Sequence, residues 1–431
     1  MSPSAASPSH PRGLAVEAVR RVTDEEAFSN RVIPGLLARS ELSDRDRALA
    51  TELAYGTLRR LPTIDAGLAP LLRRPLLDAP PTARAALRVG AYQLLFTRVP
   101  PHAAVGETVA VVAPGERGLV NAVLRRLAAD PPAPPEGKSD RDLALRTGVS
   151  AWMIAELRRL VGDEAEEAAA ALASPGGLSL RVNPCRARHE RVEGTFREAG
   201  LAVERGRFHP NALRLAGGDP ARLPGFAEGW FAIQDEASAW VVDLLDPRRE
   251  ERILDACAGP GGKAADIACR SGGVVAADVS IGRARMVREA ARRLGVRVLV
   301  MAQDARAPAL RRGFDRILVD APCSGIGAAR RRPELLWRPQ RRDLSRLARL
   351  QVAIAAGAAG LLRPGGILVY SVCTFPRAET DAACDALVSK APFLKPNPFP
   401  GPDGTKVSRA RLWPHRHGTD AMFVARFRAS S

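Results

Sequence analysis

Apolar residues recur every three or four positions through residues 12–128. The stretches RGLAVEAVRRV, DRDRALATELAYGTLRRL, PPTARAALRVGAYQLLF and ERGLVNAVLRRLA each read as an amphipathic helix. Ser43–Asp44 and Pro114–Gly115 supply start signals. The pattern predicts an all-helical domain over residues 1–130. ADPPAPPEGKSD then interrupts it with clustered prolines, and 131–149 is expected to be a linker. DEAEEAAAALA turns helical again. From 178 short strand patterns (LSLRVNP, LAVERG, ALRLAG) enclose one helix, and GWFAIQDEASAWVVDLL runs from strand into helix. Residues 150–245 therefore read as a helical connector and a small α+β module.

After 251 the period alternates between two and 3.6. Strands are expected in RILDAC, GGVVAADV, VRVLVMAQD, FDRILVDAP and GGILVYSVCT, with helices between them and a last strand in DAMFVARFRA. Regular alternation implies a parallel sheet with both faces covered, in a Rossmann-like α/β domain over 246–431. Such sheets bind ligands at the carboxyl ends of their strands.

Charge sharpens this. The 431-residue chain carries a net +17, and nearly all of the excess lies after residue 250. A basic region of that kind suits a polyanion, nucleic acid first. No run of 18 apolar residues exists, so no membrane span is expected. The N-terminal stretch MSPSAASPSHPRG has no apolar signal core and reads as a loose tail. The six cysteines show no CxxC pair and no paired spacing. That argues against a zinc site and a disulfide framework and fits a reducing cytoplasm. Cys185, Cys269 and Cys384 are expected to pack as small apolar residues.

The chemistry gathers at the strand ends. LDACAGPGGKA is strand, glycine turn and helix, without GxGxxG or a P-loop. Asp278 ends the second strand, where an acid can accept from ribose hydroxyls; Asp304 follows the third, where one can take an adenine amino group. A nucleoside site without a phosphate loop suits S-adenosylmethionine. The fourth strand ends in Asp320–Ala321–Pro322–Cys323, where amine-directed methyltransferases carry Asp/Asn-Pro-Pro-aromatic. A thiol there points to carbon chemistry: adding a thiolate to carbon 6 of a pyrimidine makes carbon 5 nucleophilic. A second thiol, Cys373, follows the fifth strand.

DAPCSGIGAARRRPELLW and YSVCTFPRAET resemble the paired cysteine motifs of the Sun (Fmu) type of RNA cytosine carbon-5 methyltransferases. ACAGPGGKA resembles their cofactor loop, and the helical region is similar to the NusB-like domain of the ribosomal-RNA branch. The VNP and FAIQDEAS segments resemble its RNA-binding region. The resemblance implies that Cys373 attacks carbon 6, that Cys323 serves product release, and that Asp320 holds the base or cofactor edge. It implies that Cys257, Ala258, Gly259, Pro260, Gly261, Gly262 and Lys263, with Asp278 and Asp304, bind S-adenosylmethionine. After Cys373 the family's Pro-Glu-Glu-Asn becomes PRAET, leaving Glu379 in register.

The expected partner is RNA, ribosomal before transfer RNA; no metal and no membrane are expected, and the chain is expected to act as a monomer. A non-catalytic RNA-binding factor would not need both cysteines. A DNA enzyme would leave Cys373 and the helical domain unexplained. His415 and His417 have no third ligand in sight and read as surface residues or RNA contacts. Arg330 to Arg332 with Trp337 either grip phosphate and stack a base or form a solvated loop.

Overall fold

The computed structural model describes residues 10–430; residues 1–9 of the expected N-terminal tail lie outside them. The chain divides into two compact units. One runs to Ser174 and takes in Ala329–Pro339; the other comprises Pro175–Ala328 and Gln340–Ser431.

The first unit is helical: α1 (Pro11–Asp24), α2 (Ser29–Ala38), α3 (Asp44–Arg59), α4 (Leu61–Leu68), α5 (Pro81–Phe96), α6 (Pro101–Ala110), α7 (Pro114–Ala129), α8 (Asp140–Thr147), α9 (Ala151–Val161) and α10 (Ala165–Leu172). Val19, Leu53, Leu87 and Leu124 meet in its core. On α5, Gly90 lets Leu124 approach so closely that a Cβ there would sit 2.3 Å from the leucine. Ser43 caps α3 by accepting from Asp46 N at 3.2 Å, as its position in the sequence suggests. The linker needs correction. Prolines end at Pro135, and Ser139 with Asp142 forms a capping box that starts α8 inside the stretch expected to be unstructured. The connector through residue 174 groups with the helices rather than with the α+β module.

So does a strap from far along the chain. Within Ala329–Pro339, Glu334 is fully buried and accepts from Ser29 Oγ at 2.6 Å. Trp337 donates its indole N–H to Leu58 O at 2.9 Å. The Arg332 guanidinium lies over the Phe28 ring at 4.8 Å. Trp337 is therefore a packed anchor rather than a free platform for a base.

The second unit opens with the module: β1 (Leu178–Val182), α11 (His189–Glu198), β2 (Val203–Arg205), β3 (Ala212–Leu215) and β4 (Phe231–Ile233). Its antiparallel sheet has the order β2-β3-β1-β4, and Phe196, Leu213 and Phe231 fill its core. Next come α12 (Glu236–Leu245), β5 (Ile253–Asp255), α13 (Gly262–Ser271), β6 (Val274–Asp278), α14 (Ile281–Leu294), β7 (Val298–Ala302), β8 (Phe314–Asp320), α15 (Leu344–Ala359), β9 (Leu362–Val372) and α16 (Asp381–Lys390). The chain closes with β10 (Leu394–Pro396), β11 (Phe399–Pro400), β12 (Lys406–Val407), β13 (Arg409–Leu412) and β14 (Met422–Ala429).

The large sheet has the order β10-β14-β9-β8-β5-β6-β7, with β13 also on β14. The five expected strands β5 to β9 are parallel. The sheet as a whole is mixed, because β14 returns antiparallel to β9 and carries β10 and β13. LKP and RARL are too short and polar to announce themselves as strands. The parallel strands all end on one edge, and Asp320 pairs in register with Ser371, two residues before Cys373.

The expectation for the cysteines fails at one pair. Cys185, which is exposed, is bonded to Cys269 across 84 residues of sequence, with an S–S distance of 2.07 Å. Packing of the module on α13 brings them together, which no sequence spacing could announce. Cys384 is buried as expected.

Candidate active site at the strand ends

The turn after β5 is shaped by glycine. Gly261 has φ +111°, and a Cβ there would meet Val287 Cα at 3.0 Å. Side chains at Gly259 would collide with Arg283 and Asp278 at 2.7 Å. Ala258 N donates to Ala277 O at 2.9 Å, tying the loop to β6. The Gly259–Pro260 bond is cis, and Cys257 is half-buried. Burial, then the Asp255 charge, pushes the Cys257 thiol up, so it stays protonated.

Asp278 is largely enclosed. Its Oδ2 accepts from Gly259 N at 3.0 Å and Arg283 Nε at 3.1 Å, and Oδ1 from Ser280 N at 3.0 Å. Asp304 lies beyond β7, half-buried and forked onto Arg306 at 2.6 Å. That hydrogen bond lowers its pKa.

The other strand ends form one half-buried network. Lys263 Nζ donates to Asp320 Oδ2 at 2.8 Å, and Ser371 Oγ donates to Asp320 Oδ1 at 2.8 Å. Burial opposes the Lys263 ammonium, but the Asp320 carboxylate outweighs it and holds the pKa above normal, with Cys373 adding to the effect. The sulfurs of Cys323 and Cys373 lie 3.5 Å apart. A Cys323 S–H donated to Cys373 favours the Cys373 thiolate against the cost of burial, and Lys263 adds to that. The same hydrogen bond and burial push Cys323 up. When the pair gives up a proton, these surroundings favour the charge on Cys373 over Cys323.

Two sets of residues in this region were not singled out as site residues from sequence. The first braces the Cys323 loop. Glu379, fully buried, accepts from Ser324 N at 2.9 Å, Ser324 Oγ at 2.5 Å and Gln351 Nε2 at 2.8 Å. Gln351 also donates to Pro322 O at 3.0 Å, and the Tyr370 hydroxyl donates to Glu379 O at 2.8 Å. Retention of Glu379 in an otherwise changed motif is the signal that could have found it. The second set is Asp255 with Arg181 and Gln234. Asp255 is 1% exposed, and neither oxygen reaches hydrogen-bond geometry with a described group, although the Cys257 amide leans toward it. Burial, then Asp320, raises its pKa to about 7. Arg181 donates Nε to Gln234 Oε1 at 2.8 Å beneath Gly262.

S-adenosylmethionine fits this rim. Asp255 is buried without a hydrogen-bond partner among the described residues, Asp278 and Asp304 stand at the neighbouring strand ends, and a glycine turn lets a ligand approach the backbone closely. Among the described residues, no group of three His, Cys, Asp or Glu could hold a metal ion, and no helix is long and apolar enough to cross a membrane. His417 Nδ1 accepts from Trp413 N at 2.7 Å, a structural role.

Comparison with known proteins agrees with this geometry. Residues 242–428 match the family described as 16S rRNA methyltransferase RsmB/F. Residues 9–129 match the NusB family and 149–221 the ferredoxin-like domain of RsmF/B-type methyltransferases. The chain is 34% identical to the probable ribosomal RNA small subunit methyltransferase B of Bacillus subtilis, over 97% of this chain and 98% of that protein. It is 36% identical to the ribosomal RNA small subunit methyltransferase B of Klebsiella pneumoniae, over 88% and 90%. The crystal structure of PH0851 superposes with a TM-score of 0.84 at 26% identity, covering 97% of this chain and 98% of that one. The chain belongs to the RsmB/F family of S-adenosylmethionine-dependent ribosomal RNA methyltransferases.

Proposed function

We propose that the protein methylates carbon 5 of a cytosine in small-subunit ribosomal RNA, in the cytoplasm, through covalent addition of Cys373 to carbon 6. The observation that carries this reading is the half-buried thiol pair, 3.5 Å apart, with Lys263 favouring charge on Cys373. Only a thiolate adds readily, and this pair supplies one below the usual thiol range. As the Cys373 sulfur bonds to carbon 6, the ring electrons move toward carbon 5. The bound cofactor supplies the methyl group as an electrophile. Asp320 and Lys263 hold each other in place beside the reacting edge. Once the Cys373 charge is spent in that bond, Cys323 gives up its own proton to water, its thiolate takes the carbon-5 proton, the carbon–sulfur bond breaks, and that bond's electron pair stays on Cys373. The base would have to leave its stack to reach these sulfurs. Asp278, Asp304 and the turn from Cys257 to Lys263 are the proposed cofactor contacts.

The two cysteine variants test this reading. Cys373→Ala is expected to abolish methyl transfer and to form no adduct. Cys323→Ala should attack and methylate but stall at elimination, which typically slows by about a hundredfold to ten-thousandfold when a positioned acid–base group is lost. It should accumulate a protein–RNA species that survives denaturing gels and carries labelled methyl. Trapping by Cys373→Ala instead would exchange the two roles. Activity in both variants would exclude covalent catalysis here.

A further inference from the structure

The N-terminus of α13 has no capping side chain and no acid in its first turn. The N–H groups of a first helical turn have no partner within the helix and attract an anion. Beside it, just past the end of β4, lies Gln234, only 7% exposed. Hydrogen-bond chemistry sets the orientation of its amide. Arg181, 1% exposed, donates Nε to the Gln234 oxygen at 2.8 Å. A guanidinium can only donate, so the oxygen must face it and the amide nitrogen must point elsewhere. That nitrogen is buried and has no hydrogen-bond partner among the described residues. A Cβ built on Gly262, the first residue of α13, would lie 3.7 Å from the Gln234 amide carbon, 3.8 Å from its oxygen and 4.0 Å from its nitrogen, so the whole amide lies alongside the helix start. Arg181 is itself held by Asp266 on α13 at 3.4 Å. An oriented, unmet donor thus stands against an uncapped helix start.

We infer that Gln234 Nε2 and the first turn of α13 bind the α-carboxylate of the methionine part of S-adenosylmethionine, with Arg181 as the residue that positions Gln234. This inference rests on the cofactor reading above and adds a contact supplied from the strand side of the module rather than from the glycine turn. Charge sorts the ends of the ligand. Lys263, in the first turn of α13, is committed to Asp320, and Arg181 to Gln234 and Asp266. Asp255 and Asp320 repel a carboxylate and suit an ammonium. Gln234 and the helix start are the groups left to take the carboxylate.

The test is equilibrium binding by calorimetry, on the full chain, of two ligands. S-adenosylhomocysteine has the carboxylate; 5′-methylthioadenosine has the same nucleoside without it. Gln234→Leu is expected to weaken S-adenosylhomocysteine by about tenfold or more, the usual scale of a hydrogen bond to a charged group, and to leave methylthioadenosine within about twofold. Gln234→Glu, which keeps an oxygen for Arg181, guards against misfolding of the leucine variant and should show the same split. Equal loss for both ligands would mean a loosened fold, and unchanged binding of both would mean no contact; either overturns the inference. If the unaltered protein bound neither ligand, the cofactor reading itself would fall. The cysteine variants test the carbon-5 chemistry separately.

Discussion

The two halves of the strand-end rim are held in opposite ways. At the ends of β5, β8 and β9 the polar groups are half-buried or buried and tied to one another: Lys263 to Asp320, Asp320 to Ser371, Cys323 to Cys373, Glu379 to Ser324 and Gln351. At β6 and β7 the acids are clasped by arginines from their own following turns. Arg283 and Arg306 are both more than half exposed. The first arrangement keeps reacting groups in place before any ligand arrives. The second presents acids whose partners can swing into water at little cost, as exposed ion pairs contribute little. Groups proposed for chemistry are thus fixed in advance, and groups proposed to bind the nucleoside are left exchangeable.

The contrast can be broken from the buried side first. Asp255 titrates near 7 in the folded chain, against an ordinary value of 3.8. The folded state therefore keeps a proton that the unfolded state loses, and stability should fall as pH rises from about 4 to 7. The full effect would be up to roughly 4 kcal/mol. Urea titrations at pH 5 and pH 8 should show that decline, and Asp255→Asn should remove it.

Glu379→Ala comes next. It leaves Ser324 N and the Gln351 amide unmet inside the protein and should cost about 2–3 kcal/mol in denaturant unfolding. Methyl transfer should drop as well, since the Cys323 loop loses its brace.

A smaller effect is expected at Lys263. Its ammonium favours the Cys373 thiolate, so Lys263→Gln should shift the acid limb of the single-turnover rate profile up by about one pH unit. No shift would mean that Cys323 alone sets the Cys373 pKa. The smallest effect belongs to the exchangeable half. Arg306→Ala frees Asp304 of its competitor and should tighten methylthioadenosine by no more than about threefold. Weaker binding would show instead that Arg306 holds the ligand.

Much of this was legible in the chain. The strands ending in Asp255, Asp278 and Asp320 stood out because each is a local run of apolar residues closed by an acid, and the one ending in Val372 because Cys373 follows its apolar run. The helices of both units stood out because period 3.6 is a local property. α8 was hidden because proline-rich composition masked a capping box only four residues long. β10 and β13 were hidden because edge strands need few apolar residues. The bond between Cys185 and Cys269, the anchoring of Glu334 and Trp337 among the helices, and the Arg181–Gln234 pair join residues tens to hundreds of positions apart.

The sequence by itself therefore determined the order of elements, the glycine turn, the two thiols and the acids, since each depends on neighbours a few residues away. Only the tertiary structure decided which thiol its surroundings favour as the thiolate, that Asp255 is buried without a hydrogen-bond partner among the described residues, and that Gln234 carries an unmet donor beside α13. Burial and proximity set proton affinity and hydrogen-bond supply, and both arise from segments that meet only when the chain has folded.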